Sequence, residues 1–272
     1  MPHKTFIALL TVILLMLPGI FAAAQEDNPT FSFTNLNETP VIEDQFEGAV
    51  TARLYTFTGS EDDQISISMS GEFDSYLILF GNAGQLLTFI DDGGENRGDA
   101  LIDEFTLPYD GAYYVIATSY NYVDGIMASS PELNQPQPYT LRLTGATVPD
   151  DMETPALTAT PITAGSSVDG ELTAESPIGY FTFEGEEAAQ MDLAFSLDNV
   201  SSYPMLYLFD SAGNRLAISP QMDGTPEADF LDFVLPADGS YLVMALDSFF
   251  VDIDEDSGDY GIGDFTITLE ME

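Results

Sequence analysis

The chain writes the same passage twice. Ser75–Leu87 (SYLILFGNAGQLL) and Tyr203–Ala217 (YPMLYLFDSAGNRLA) each run through apolar residues to a Phe, cross a polar turn holding a glycine, and resume an apolar run. Phe80 answers Phe209 and Gly84 answers Gly213, an offset held at about 129 residues. The events around this hairpin repeat as well. RLYTF at Arg53–Phe57 corresponds to GYFTF at Gly179–Phe183, and LPYDGAYYVIA at Leu107–Ala117 to LPADGSYLVMAL at Leu235–Leu246. A duplication of this length demands two copies of one fold.

Each copy reads as strands. Gln64–Ser70 (QISISMS) alternates, with Ile65, Ile67 and Met69 on one face and three serines on the other, and Met191–Leu197 does the same in the second copy. The hairpins are continuous apolar runs broken by Gly and Asn, as strands buried on both faces are. Further strands are expected at Val50–Phe57, Leu101–Leu107, Ala112–Ser119 and Tyr139–Thr144. In the second copy they fall at Val168–Leu172, Ile178–Phe183, Pro204–Asp210, Arg215–Ile218, Phe230–Leu235, Ser240–Leu246 and Asp264–Glu270. Apolar residues at helical spacing with caps are absent. The expected fold is all-β: two tandem antiparallel β-sandwiches. Glu26–Glu47 is a leader in which Thr30–Leu36 adds an edge strand, and Gly145–Ala164 is a Thr/Pro/Ala-rich linker. The boundaries are 1–24 for a signal peptide, 25–149 for the first sandwich and 150–272 for the second.

The first 24 residues are read apart from the fold. His3 and Lys4 precede an apolar run to Ile20, and Ala22–Ala24 offers a cleavage site before Gln25. Secretion without a membrane anchor is the expectation. Removing that segment leaves 5 − 1 = 4 basic residues (Arg53, Arg97, Arg142, Arg215) against 46 acids, a formal charge of 4 − 46 = −42. Lys, His, Cys and Trp are then all missing. Phosphate binding needs clustered basic side chains, so nucleic acid is excluded as a partner. Triad, thiol and Schiff-base catalysis lack their residues, and so does zinc chemistry. Of the enzyme mechanisms only a carboxylate pair of the glycoside hydrolase sort survives. With 46 acids some pair at a suitable spacing is inevitable and says nothing. The chain is expected not to be an enzyme.

LYLFDSAGNRLA at Leu206–Ala217 and LPADGSYLVMAL at Leu235–Leu246, with YLILFGNAGQLL, DDGG at Asp91–Gly94 and LPYDGAYYVIA in the first copy, resemble the bacterial pre-peptidase C-terminal domain, here in tandem. The resemblance implies jelly-roll-like sandwiches of the kind attached to secreted enzymes, acting in attachment or substrate engagement, several of them with calcium. The family's E-x-N-D entry is reduced here to Asn37-Glu38-Thr39-Pro40 and Glu153-Thr154-Pro155.

Two acidic stretches are candidate Ca²⁺ ligands. In DIDEDSGDYGIGD, Asp252, Asp254 and Asp256 alternate as oxygen ligands do in calcium loops, with Asp259 or Asp264 completing the set, although Ser257 stands where a turn glycine belongs. The second is Asp91 and Asp92 of DDGGE with Asp99. The plain alternative for both is a solvated turn. Tyr120 and Tyr122 flank Asn121 in a loop and could stack on a sugar or peptide, or pack beneath Val123–Gln137. The reading is a secreted, non-catalytic binding or attachment protein, calcium-assisted, with an extracellular polysaccharide, a protein polymer or a secreted hydrolase as partner. The alternative is an acidic structural or solubilising module without a ligand.

Overall fold

The computed structural model describes residues 31, 33–122, 133–150, 152, 157–198, 203–219, 226–247 and 263–272. The first repeat contributes β1 (Thr34–Asn35), β2 (Val41–Gly48), β3 (Ala52–Gly59), β4 (Gln64–Gly71), β5 (Ser75–Gly81), β6 (Leu86–Ile90), β7 (Ala100–Thr106), β8 (Gly111–Ser119) and β9 (Leu133–Thr144). The second contributes β10 (Thr160–Pro161), β11 (Ser166–Leu172), β12 (Ile178–Gly185), β13 (Gln190–Leu197), β14 (Pro204–Phe209), β15 (Arg215–Ile218), β16 (Glu227–Val234), β17 (Gly239–Asp247) and β18 (Gly263–Met271). Each repeat folds as a five-stranded sheet over a four-stranded one. The orders are β1-β3-β8-β5-β6 over β2-β9-β4-β7, and β10-β12-β17-β14-β15 over β11-β18-β13-β16. All ladders are antiparallel except those of the two-residue edge strands β1 and β10, which run parallel to β3 and β12.

The apolar alternation of β4 and β13 sends Ile65, Ile67 and Met69, and Met191, Leu193 and Phe195, into the core of their own sandwich. The central strands do something else. In β5 and β8 the residues Leu77, Leu79, Tyr113 and Val115 face the first sandwich, while Tyr76, Ile78, Phe80, Tyr114 and Ile116 face away from it. β14 and β17 mirror this: Leu206, Leu208 and Val243 face inward, and Met205, Tyr207, Phe209, Leu242 and Met244 face outward. The two outward sets form one buried cluster. The molecule is therefore four sheets deep, with the five-stranded sheets back to back in the middle, and the continuous apolar runs are strands covered on both faces.

Three expectations need correction. Val41–Gly48 is a full strand rather than leader. Leu133–Gln137 is the start of β9 rather than loop, despite Pro136. The linker is not merely extended: Leu157, Ala159 and Ile162 are buried, and Thr160–Pro161 pairs as an edge strand just as Thr34–Asn35 does.

Arg215 lies inside the central layer, 2% exposed. Its guanidinium donates to Thr51 Oγ1 at 3.0 Å and to the Tyr122 carbonyl at 2.6 Å, and it sits 5.3 Å from the centre of the Tyr207 ring. Burial pushes its pKa down to about 10. One side chain of the second repeat thus fixes the strand entry and the 120–122 turn of the first.

Candidate functional site

The L-P-x-D-G-x-Y motif is absorbed by the fold. Leu107 and Leu235 are buried against Gly59 and Gly185, where a Cβ would stand 2.2 and 2.4 Å from the leucine Cδ1. Asp110 Oδ1 accepts from the Glu61 amide at 2.8 Å and Asp238 Oδ1 from the Glu187 amide at 2.7 Å, so each motif Asp ties down the turn of a neighbouring hairpin. The Tyr113 hydroxyl donates to the Tyr109 carbonyl, and Tyr241 to that of Ala237. The motif Asp and Tyr make the same structural bonds in both repeats.

Asp252, Asp254, Asp256 and Asp259 lie outside the described residues, as does the expected signal peptide of residues 1–24. Asp264 opens β18 opposite Glu171. Asp91 and Asp92 follow β6, and the Asp92 carbonyl accepts from the Leu101 amide at 3.1 Å. Asp99 is buried, its Oδ2 accepting from the Asn96 backbone at 3.1 Å and its side-chain amide at 2.8 Å. Among the described residues no three Asp or Glu side chains converge as a metal ion requires, so Asp91, Asp92 and Asp99 are not brought together as a set. Tyr120 is half exposed and tilts against Tyr76 with ring centres 6.2 Å apart; Tyr122 spends its carbonyl on Arg215.

What the structure does assemble is a cleft at the end of the first sandwich where β2, β4 and β9 meet the 94–99 loop. It encloses about 720 Å³, lined by Glu43, Asp44, Gln45, Ser70, Gly71, Glu72, Asn96, Asp99, Pro138, Tyr139 and Thr140. A second hollow of about 440 Å³ shares Ser70, Asn96, Asp99 and Thr140 with it and adds Ser68 and Arg142. The lining is mostly carboxylate, amide and hydroxyl, with the Asn96–Asp99 bonds holding the loop in place. Sequence reasoning found only Asp99 of this set. Most of the others sit on β2, β4 and β9, with Asn96 on the 94–99 loop, and β2 was the strand the sequence concealed.

The described residues form stacked β-sandwiches, with an open polar cleft at the strand ends of the first. Residues 51–119 match the model of the bacterial pre-peptidase C-terminal domain, so the first sandwich carries that family's pattern. Among solved structures, the chain is similar to the pre-peptidase C-terminal domain of a Bacillus anthracis collagenase, at 18% identity over 43% of this chain and 100% of that one, with a TM-score of 0.32. It is also similar to a putative secreted protein from Eubacterium rectale, at 12% identity over 89% of this chain and 79% of that one, with a TM-score of 0.29. No curated protein matches it. No helix among the described residues is long and apolar enough to cross a membrane.

Proposed function

We propose that this is a secreted, non-catalytic binding or attachment protein that engages an extracellular polysaccharide, a protein polymer or a secreted hydrolase, with Ca²⁺ assisting. The observation that carries the reading is the open cleft of the first sandwich, which sets carboxylate, amide and hydroxyl groups side by side. It stands in a chain that, past residue 24, has no His, Lys or Cys to drive acyl transfer or to hold a catalytic zinc. The net charge of −41 for the whole sequence favours neutral or cationic partners and makes calcium a natural companion. For calcium, the alternating Asp252, Asp254 and Asp256 with Asp259 and Asp264 remain the candidate ligands.

The test is retention of the chain lacking residues 1–24 on insoluble cellulose, chitin, bacterial cell wall and collagen fibrils, with calcium and with chelator, while released sugar and peptide are assayed. Retention on at least one polymer without hydrolysis is expected. Retention on none would leave the solubilising alternative standing, and hydrolysis lost on one Asp or Glu substitution would make the protein an enzyme.

A further inference from the structure

Strand register makes the two repeats comparable position by position. Thr34 pairs with Tyr55 as Thr160 pairs with Phe181; Asp44 faces Tyr139 as Gly170 faces Phe265; Arg53 faces Ala117 as Gly179 faces Ala245. At one corner, therefore, the first sandwich holds Asp44, Arg53, Tyr55 and Tyr139 where the second holds Gly170, Gly179, Phe181 and Phe265.

In the second sandwich this corner is sealed. Phe181 and Phe265 meet edge-on with centres 5.7 Å apart, and their rings lie over the glycines so closely that a Cβ would stand 2.7 Å from Phe181 at Gly179 and 2.5 Å from Phe265 at Gly170. In the first it is polar, with Tyr55 and Tyr139 buried and Arg53 and Asp44 part-exposed beside the cleft. Arg53 pairs with Asp44, the Tyr55 and Tyr139 hydroxyls bond to each other, and the Arg53 Nε is buried with no hydrogen-bond partner among the described residues. Asp44 and Tyr139 belong to the lining of the large cleft. The same strands form in the second repeat without any of these groups, so the fold does not require them, and buried polar groups are costly to keep. Their place is at the mouth of a cavity.

We infer that this corner and the adjoining cleft are a recognition site confined to the first sandwich, and that its ligand is a glycan chain bearing no negative charge. The inference rests on the binding role proposed above. Glu43, Gln45, Asn96, Asp99 and Thr140 offer fixed acceptors and donors side by side. Sugar hydroxyls, each donating and accepting, need that mixture. The carboxylates are not a well for a compact cation: Asp44 is already matched by Arg53, Asp99 is bonded to Asn96, and no three acids converge among the described residues. Glu43 and Glu72, which form no ion pair among the described residues, would repel an anionic polymer.

Isothermal titration with cellohexaose, chitohexaose, its deacetylated form, mannohexaose, an oligogalacturonate and a lysine-rich decapeptide tests this. At least one uncharged or amino-sugar probe should bind, and the oligogalacturonate should not. Tyr55→Phe with Tyr139→Phe, the residues the second sandwich already tolerates, should weaken binding about tenfold or more with melting unchanged; Asp44→Asn, a smaller change, should do likewise. Binding by the peptide alone, by no saccharide, or equally by the variants would overturn the assignment. Variants that stay on an insoluble polymer as the unmodified chain does would refute this corner and leave the attachment role intact. A chain retained on nothing would refute both.

Discussion

The Leu54 amide donates to the Gly213 carbonyl at 2.8 Å, so a strand of the first repeat is hydrogen-bonded to the hairpin turn of the second. The contact is reciprocated. The equivalent turn of the first repeat places Gly84 where a Cβ would be 2.9 Å from Ile178, and the Ser176 hydroxyl donates to the Ala83 carbonyl at 3.2 Å. Each hairpin thus caps the leading strand of the other sandwich, an approximate two-fold exchange within one chain.

Gly213 is the tightest point of that exchange. Its φ is +86° and a Cβ would stand 2.6 Å from the Leu54 carbonyl oxygen, whereas Gly165, at φ +77°, has nothing within 4 Å. Gly165→Ala should carry only the left-handed backbone cost, about 1–2 kcal/mol. Gly213→Ala should exceed it by about 1 kcal/mol or more, because a backbone oxygen cannot rotate aside. Urea unfolding of the two variants compares them; equal losses would mean the repeats do not press together there.

Phe80 and Phe209 are both fully buried, and both in the central layer rather than in either sandwich's own core. Phe→Ala at either should cost about 3–5 kcal/mol in the intact chain. If the chain divides near Asp150 as proposed, each half keeps its own core yet bares an apolar sheet face. The halves should fold separately, as circular dichroism would report, and associate one to one on mixing. In an isolated half the same Phe→Ala change should cost far less. A full-sized loss there would place the phenylalanine in that half's own core.

The repeat, the strands with clean alternation and the two-sandwich plan were legible because burial on one face writes itself as period two. Three things were not. A run such as Tyr76–Phe80, apolar at every position, announces burial on both sides without saying that the second cover is the other repeat. VIEDQFEG at Val41–Gly48 hides a strand because its outer positions are acidic and only Phe46 is fully buried. The cleft followed from that strand, so Asp44 and Tyr139 went unnoticed as partners. Their trace was in the sequence even so: in RLYTF against GYFTF, Arg53 and Tyr55 already stand opposite Gly179 and Phe181.

Alkali should unfold the protein through its tyrosines. Burial raises Tyr55 and Tyr114 to about 12, and Tyr139 and Tyr180 higher still, from an ordinary 10. Between these values the unfolded chain has lost protons that the folded one keeps. Their contribution is complete below pH 10 and is lost as pH rises, through about 12 for Tyr55 and Tyr114 and higher still for Tyr139 and Tyr180. Arg215, lowered to about 10 from 12.5, works in the opposite sense, but it is one group against several, Tyr113 among them. Tyrosinate absorbance should rise in two phases, exposed rings first and buried rings together with loss of near-ultraviolet dichroism. All 13 tyrosines titrating in one step with the fold intact would contradict the burial.

Calcium must be separated from screening, since any counter-ion steadies a chain of this charge. A specific site adds about RT ln(1 + [Ca²⁺]/Kd), near 2.7 kcal/mol at 100 Kd, and saturates where screening does not. Extracellular modules bind in the range of about 10⁻⁴–10⁻³ M, so millimolar calcium is enough. The melting temperature should climb to a plateau with Ca²⁺ and respond much less to Mg²⁺ at equal ionic strength, because Mg²⁺ demands tighter octahedral geometry and dehydrates reluctantly. Asp254→Asn together with Asp256→Asn should erase the difference between the ions and leave the general salt effect. Equal responses to the two ions in the unmodified chain, or a double variant that still tells them apart, would remove Asp252–Asp264 as the site.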